Sequence, residues 1–266
     1  LPELLARQHR ETDTPFPATD GYSQELSLKL PLRHLYNPSP GFRFTTDMLI
    51  IRGGAQTFTC KHIWREGRCY PNMDAAHNQD LVLSHEDGAQ RITHTHHEVL
   101  SDYTIMPRVV TNRQFEAFLK ATGYKPRYPE NFLKHWNSTT CPPTLLNEPV
   151  VYVSLEDARA FADWAGMELP GEWEWQKAAL EYKDDFIFNE VFEWNESERF
   201  DGFNRFVTLR GGCTRWTTPS SWWYIPGAPH GEIAGGPQKF DSHVKYFLMY
   251  PGLDRASTIG FRCLKK

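Results

Sequence analysis

Two complete helix start signals, separated by turn-rich sequence, constrain the fold of this chain more than any other feature. Thr111 precedes Gln114 by three residues, which is the pattern of a capping box, and Gly123 supplies a C-terminal stop. Ser154 and Asp157 repeat the start signal. Because a cap acts within one helical turn, these residues predict two helices from local sequence alone.

Apolar residues at helical spacing predict which face of each helix is buried. A third, shorter helix is expected over 171–180. The expected buried residues are Phe115, Phe118, Leu119 and Thr122 in the first helix, and Leu155, Ala158, Ala162 and Ala165, before Gly166, in the second.

Outside the helices the chain favours short strands and long loops. Residues 47–58 predict a strand, a Gly-Gly turn and a second strand, and 97–106 alternates like a strand. From 186 to the end, helical periodicity is lost. A few helices among scattered strands form an α+β pattern, which we assign to one domain, 46–266, after a lead-in segment, 1–45.

Composition excludes several classes of function. A formal net charge of −4 and the lack of a long basic run argue against nucleic-acid binding. No apolar run reaches the ~20 residues that a membrane helix needs. Aromatic residues make up 14% of the chain, which fits a loop-rich fold or a ligand groove. Together with the Pro and Gly content, this favours an exported protein, periplasmic or extracellular.

The cysteines leave the compartment open. There are five, so at least one is unpaired, and none lies in a C-x-x-C pair. Cys60 and Cys69 are near enough in sequence to close a short disulfide loop in an oxidising compartment, and they are equally compatible with two thiols.

Five phrases occur along the chain in a characteristic order. They are VVTNRQFEAFLKATGY (109–124), PVVYVSLEDARAFADWAGMELPGEWEWQKAA (149–179), EVFEW (190–194), LRGG (209–212) and IGFRC (259–263). In this order they resemble the formylglycine-generating-enzyme, or sulfatase-modifying-factor, family. The resemblance covers roughly residues 46–265. It implies a variant C-type-lectin-like fold, in which a short sheet and two helices support long loops.

The resemblance also implies where the family's copper-dependent oxidase keeps its two catalytic thiols. They follow the Ser of the R-G-G-S phrase by three and eight residues, and soft thiolates at that spacing hold Cu(I). Here Cys213 occupies the Ser position, and Trp216 and Ser221 occupy the thiol positions. Because neither an indole nor a hydroxyl holds Cu(I), we expect this chain not to be a formylglycine-generating oxidase.

Two further expectations rest on the resemblance. Calcium commonly sits beside the family's G-N-V-W-E-W phrase, so the carbonyls of Asn189 and Val191 with the Glu193 carboxylate are candidate calcium ligands. Cys263 matches a cysteine that is disulfide-bonded in the animal enzymes, but its partner position here is Ala162. We therefore expect Cys263 to be a buried free thiol.

The histidine-rich stretch THTHHEV offers a different kind of metal site. His94 and His96 stand two apart on a predicted strand, and a third ligand from Glu98, His62 or His85 would complete a facial triad for non-heme iron or copper. The alternative is a solvated polar edge strand. Sulfoxide synthases and the pyoverdine-maturation protein, which belong to the same family, lack the thiol pair, so its loss does not exclude catalysis.

Aromatic residues gather in the segment where the family places its substrate groove. Trp and Tyr rings offer large contact areas at little entropic cost, and they suit sugar faces, peptides and cations. Alternatively, the paired tryptophans fill the underside of a long loop. The candidate ligand-binding residues are Trp216, Ser221, Trp222, Trp223, Tyr224 and Tyr246.

Two functions therefore stay open, beside a purely structural or assembly role. The first is a ligand-binding module that recognises a peptide, glycan or small molecule through residues 213–250. The second is a metal-dependent oxidative enzyme, or the substrate-binding half of one, that uses His94 and His96. Calcium, iron and copper are the candidate metals. The Gly-Gly pairs are expected to serve turns or close packing, because none leads into a helix through a phosphate-loop motif.

Overall fold

The computed structural model of the chain describes residues 48–63, 69–70, 91–136, 140–200, 204–214 and 237–266. The helices in these ranges are α1 Asn112–Thr122, α2 Leu155–Trp164, α3 Glu172–Glu181 and α4 Pro251–Asp254. The strands are β1 Leu49–Ile51, β2 Gly54–Ile63, β3 Arg91–Leu100, β4 Tyr103–Ile105, β5 Phe192–Trp194, β6 Arg199–Phe200, β7 Arg205–Leu209, β8 Val244–Phe247, β9 Ile259–Phe261 and β10 Leu264–Lys265. This mixture confirms the α+β class. The proposed lead-in segment, 1–45, lies outside the described residues.

Both predicted capping boxes form. At the start of α1 the Thr111 backbone N–H donates to Gln114 Oε1 at 2.8 Å, while the Thr111 side chain accepts from the Gln114 N–H. Ser154 and Asp157 make the same exchange at the start of α2. Gly123 ends α1 with a left-handed φ of 65°, as predicted.

The buried faces of α1 and α2 meet in an aromatic core. Phe115 stacks on Phe161 with ring centroids 5.7 Å apart, and Phe118 meets Phe161 edge-on. Phe261 of β9 closes the group at 5.3 Å from Phe161. Such pairs stabilise a core by about 0.5–1.5 kcal/mol each beyond area burial. Of the other residues predicted to be buried, Leu155, Ala158 and Ala162 are buried, whereas Leu119, Thr122 and Ala165 lie at the helix edges and are partly buried.

The described strands form four small sheets. In the first, β4 lies between β1 and β10, and in the second β2 pairs antiparallel with β3 over their whole length. In the third, β5 and β9 run parallel, which joins the EVFEW and IGFRC phrases. In the fourth, β7 lies between β6 and β8. Helices and loops, rather than one continuous sheet, therefore connect the parts of the core.

The predicted Gly-Gly turn forms, and it carries the chain from one sheet into another. β1 pairs with β4, whereas β2 pairs with β3. Gly53 packs so closely on the backbone near Leu100 that an added Cβ would overlap the Leu100 carbonyl. Asp102 secures the turn by accepting the Gly53 N–H at 2.7 Å. The glycine thus serves close packing, as the sequence predicts.

The cysteines are buried thiols in this structure. Cys60 and Cys69 are fully buried and are not bonded to each other. Of the two alternatives left open by the sequence, a disulfide or two thiols, the structure has two thiols. Cys263 is fully buried and free, as expected, and desolvation raises its pKa well above the ordinary thiol value. Among the described helices, none is long and apolar enough to cross a membrane.

Candidate functional site

A long connection between β7 and β8 contains most of the predicted ligand-binding residues. We call residues 210–243 the β7–β8 loop. Its central part, 215–236, lies outside the described residues. That part contains the predicted site residues Trp216, Ser221, Trp222, Trp223 and Tyr224. Both ends of the loop are described, so its attachment to the fold is defined.

Asn189 fastens the two ends of the β7–β8 loop together. Its backbone carbonyl accepts the Thr214 N–H at 3.1 Å, at the first end. Its side chain exchanges two hydrogen bonds with the Gln238 backbone at the second end: Oδ1 accepts the N–H at 2.9 Å, and Nδ2 donates to the carbonyl at 3.1 Å. Asn189 has a φ of 73°, a left-handed conformation that Asn adopts more readily than most residues.

Arg210 provides a second attachment at the base of the loop. Its backbone exchanges two hydrogen bonds with Glu193 of β5, at 2.9 and 3.2 Å. Its guanidinium is fully buried, and Nη1 donates to the Ser242 carbonyl at 3.2 Å. The Arg210 Cζ lies 5.6 Å from the centre of the Trp173 ring, within range of a cation–π interaction. The two ends of the loop therefore meet in the interior.

Tyr246 is the predicted ligand-binding residue that falls within the described part of the chain. It lies on β8, is half-buried, and meets Trp194 edge-on with ring centroids 5.3 Å apart. Burial, reinforced by the charge of Asp254, raises the pKa of Tyr246 to about 12. One side of its ring thus belongs to the core. Phe247 and Met249, which follow it, are 48% and 74% exposed and extend an apolar surface beside the loop.

The predicted metal ligands His94 and His96 both lie on β3. The His96 ring is 4.5 Å from the rings of Tyr70 and of Trp173, so it packs within an aromatic group. The His94 backbone pairs with Cys60 of β2, but its side chain lies outside the described residues. Within the described part of the chain, no group of three or more His, Cys, Asp or Glu side chains is arranged to hold a metal. A site at His94 and His96 stays a prediction.

The buried carboxylate of Glu172 binds several polar groups next to the rings that contact His96. Glu172 Oε2 accepts hydrogen bonds from the hydroxyls of Tyr70 and Thr208 at 2.8 and 3.1 Å, and Oε1 is paired with Arg199. Burial acts to raise the pKa of Glu172, but the charges of Arg199 and Arg210 outweigh it and hold the pKa below its usual value. Glu172 therefore stays ionised in the interior.

Cys60 and His243 form a contact that the sequence gives no means of predicting. Cys60 Sγ lies 3.0 Å from His243 Nδ1 and 3.5 Å from the Tyr70 hydroxyl. Burial raises the pKa of the Cys60 thiol, with the Arg210 charge acting in the opposite direction. The two residues are 183 positions apart, and no local pattern links them. By contrast, Glu172 lies in the family phrase at 149–179 and Arg210 lies in LRGG, so the resemblance points to both residues without indicating their contacts.

The three predicted calcium ligands take part in internal contacts. Both oxygens of Glu193 accept from Arg262, at 2.5 Å from Nε and 2.7 Å from Nη2, and Oε2 also accepts from the Trp175 indole at 2.9 Å. The Asn189 carbonyl accepts from Thr214, and the Val191 carbonyl faces Gly211. These contacts give the three residues a structural role, and calcium binding by them stays a prediction.

The copper chemistry of the family does not fit the residues of this chain. The two thiol positions hold Trp216 and Ser221, which supply no sulfur. Cys213, in the preceding Ser position, is fully buried. A two-thiolate Cu(I) centre needs two soft ligands on one ion, and the chain does not supply that pair at those positions.

Comparison with known proteins identifies the family. Residues 36–222, more than half of the chain, match the sulfatase-modifying factor enzyme 1-like domain. A formylglycine-generating enzyme from Thermomonospora curvata is 36% identical over 114 residues, covering 30% of this chain and 38% of that enzyme, so the chain spans less than half the length of this relative. Among solved structures, PvdO from Pseudomonas aeruginosa is 16% identical with a TM-score of 0.43, covering 82% of this chain and 93% of PvdO. CarF is 16% identical with a TM-score of 0.44, covering 83% of this chain and 98% of CarF. The chain belongs to the sulfatase-modifying factor, or formylglycine-generating-enzyme-like, domain family and has its α+β fold.

Proposed function

We propose that this chain is a ligand-binding member of the family, without the copper oxidase activity, and that the β7–β8 loop and β8 form its recognition surface. The observation that carries the proposal is the attachment of both loop ends to Asn189. Loops held at their base by a rigid scaffold are common carriers of binding sites, because their tips vary while their position is fixed.

The composition of the loop supports the same function. Between its fastened ends it carries Trp216, Trp222, Trp223 and Tyr224, and β8 adds Tyr246 at its edge. Aromatic rings on a positioned loop offer contact area with few rotamers to restrict, which favours a peptide, a glycan or a small molecule with an apolar face. The replacement of the thiol pair by Trp216 and Ser221 removes a reactive centre and adds one of these rings.

The test is a ligand search followed by matched variants. Peptide and glycan arrays probed with the protein would supply a ligand, and calorimetry would give its affinity. Trp222→Ala and Trp223→Ala should each weaken binding by about 2–4 kcal/mol, or roughly 30- to 1000-fold, as central aromatic anchors do. Phe200→Ala is the control, because Phe200 is an aromatic residue of the same sheet, 51% exposed, on the far edge from β8. Equal affinities for all three variants and the wild type would refute the proposal.

A further inference from the structure

One edge of the Arg210 guanidinium has no hydrogen-bond partner among the described residues. Nε and Nη2 are both buried and unpaired, whereas Nη1 donates to the Ser242 carbonyl. The whole residue is fully buried. Buried donors on a charged group cost free energy when they are left unpaired, and native proteins satisfy the great majority of them. Asp241 Oδ1 is another buried atom without a hydrogen-bond partner, but it makes no bond to this edge. The Nε–Nη2 edge of Arg210 therefore lacks an acceptor among the described residues.

Two other buried arginines show what the same edge binds in this protein. Arg262 donates from Nε and Nη2 to the two oxygens of Glu193, at 2.5 and 2.7 Å. Arg255 donates from the same two atoms to the two oxygens of Asp157, at 2.8 and 3.1 Å. The parallel N–H groups of this edge match the two oxygens of a carboxylate, which makes the pair bidentate. By this comparison, the acceptor that suits Arg210 is a carboxylate.

Glu172 lies beside Arg210 but does not supply that bidentate partner. Its Oε2 is 3.6 Å from Arg210 Nη2, which is too long for a hydrogen bond, and it already accepts from Tyr70 and Thr208. Its Oε1 is paired with Arg199. Glu172 therefore balances part of the charge of Arg210 without occupying the Nε–Nη2 edge.

The charges around this edge favour an anion. Among the described residues, the Glu172 carboxylate is paired with two cations, Arg199 and Arg210, so this group of three carries one positive charge in excess. Asp241 is held by Lys61, with 3.0 Å between Oδ2 and Nζ. A ligand carboxylate at this edge would therefore balance the excess positive charge.

We propose that the Nε–Nη2 edge of Arg210 receives a carboxylate group of the ligand at the base of the β7–β8 loop. The inference rests on the proposed function, because it assigns one chemical group to the ligand of that loop. Ser242, at the other end of the loop, carries a buried hydroxyl with no hydrogen-bond partner among the described residues, and so adds a donor at this junction. The ligand class narrows to carboxylates, such as an organic acid, an acidic sugar or a peptide with a carboxylate.

Acetate is the probe, because it carries the carboxylate and little else. In 15N-labelled protein the Arg210 Nε–H signal, identified by its loss in Arg210→Lys, should shift saturably with acetate and stay unchanged with chloride at equal ionic strength. The Nε–H signals of Arg255 and Arg262 are internal references, since both groups already bind carboxylates and should not move.

The variant Arg210→Lys distinguishes the contribution of the two parallel N–H donors from that of the positive charge. Lysine keeps a positive charge beside Glu172 but lacks the two parallel N–H groups. Broadening of the acetate methyl signal should therefore report an affinity about tenfold weaker than that of the wild type. Unchanged Arg255 and Arg262 signals would show that the variant is folded. The proposal would be overturned if the Arg210 Nε–H proton exchanges with water while its signal does not shift with acetate. A buried water would then be the partner of this edge.

The acetate response of Arg210 and the binding of an array ligand through Trp222 can be measured independently, so the carboxylate site and the proposed function are tested separately. Trp222→Ala should lose the array ligand but keep the acetate response at Arg210. If acetate shifts Arg210 and no array ligand binds, the recognition role of the loop is wrong and the carboxylate site stands. If an array ligand binds through Trp222 while acetate leaves Arg210 unmoved, the carboxylate site alone is refuted.

Discussion

Replacing Asn189 with glycine removes the side chain that joins the two ends of the β7–β8 loop. The substitution leaves the backbone undisturbed, because glycine adopts the φ of 73° without strain. The Asn189 carbonyl remains in place to accept the Thr214 N–H. What disappears is the pair of hydrogen bonds to Gln238, at 2.9 and 3.1 Å.

The size of the effect follows from those two bonds. Each contributes about 0.5–1.5 kcal/mol, so the second end of the loop should lose about 1–3 kcal/mol of local stability. Because 1.4 kcal/mol corresponds to about tenfold in an equilibrium, opening at Gln238 should become roughly 5- to 150-fold more frequent. If the loop forms the recognition surface, ligand affinity should fall as well, since part of the binding energy would then go into ordering the loop.

Hydrogen exchange at the Gln238 amide measures the effect directly, because that N–H donates to the removed side chain. Asn131→Gly is a matched control: Asn131 is also left-handed, with a φ of 57°, and its side chain donates to the Gly252 carbonyl instead. The control should leave exchange at Gln238 and ligand affinity unchanged. Equal protection of the Gln238 amide in Asn189→Gly and wild type would refute the role given to Asn189.

Two further predictions concern charge and metal content. Burial alone would raise the pKa of Glu172, but the charges of Arg199 and Arg210 hold it below the unfolded value of 4.5. The ionised Glu172 therefore stabilises the folded protein fully above pH 4.5, and this contribution is lost as the pH falls through the folded pKa. The free energy of unfolding should therefore decline below about pH 4.5, and it should decline less steeply with pH in Glu172→Gln. Urea titrations at several pH values measure it, and the same dependence on pH in both proteins would contradict the prediction. If the chain is a binding module, protein purified without chelator should contain less than one equivalent of iron or copper by elemental analysis. A full equivalent of iron or copper that is lost in His96→Ala would instead favour the oxidative enzyme.

Contacts within one helical turn were the part of the fold that could be predicted in detail. The Thr111–Gln114 and Ser154–Asp157 boxes depend on residues three apart, so the sequence displays both partners together. Burial was predicted less well at the helix edges. Thr122 donates its hydroxyl to the Phe118 carbonyl and stays partly buried, because helical spacing gives the direction of a side chain but not what packs against it.

The candidate site depends on contacts that no local pattern encodes. Asn189 meets Gln238 across 49 residues, and Cys60 meets His243 across 183. Family resemblance drew attention to Asn189 and Glu193 as calcium ligands. It did not indicate that Asn189 fastens the loop or that Arg262 pairs with Glu193, because both contacts require a partner placed by the packing of distant elements.

By itself, the sequence determined the family, the α+β class, the capped helices and the loss of the two thiols, since all of these are written in residue identity and short-range order. Only the tertiary structure decided which polar groups share the interior. Arg210 and Ser242 stand at opposite ends of a long loop, and they meet because β7 and β8 pair beneath it. The physical reason is that a buried charge takes its partners from whatever the packed core brings within hydrogen-bonding distance, and chain order does not specify that distance.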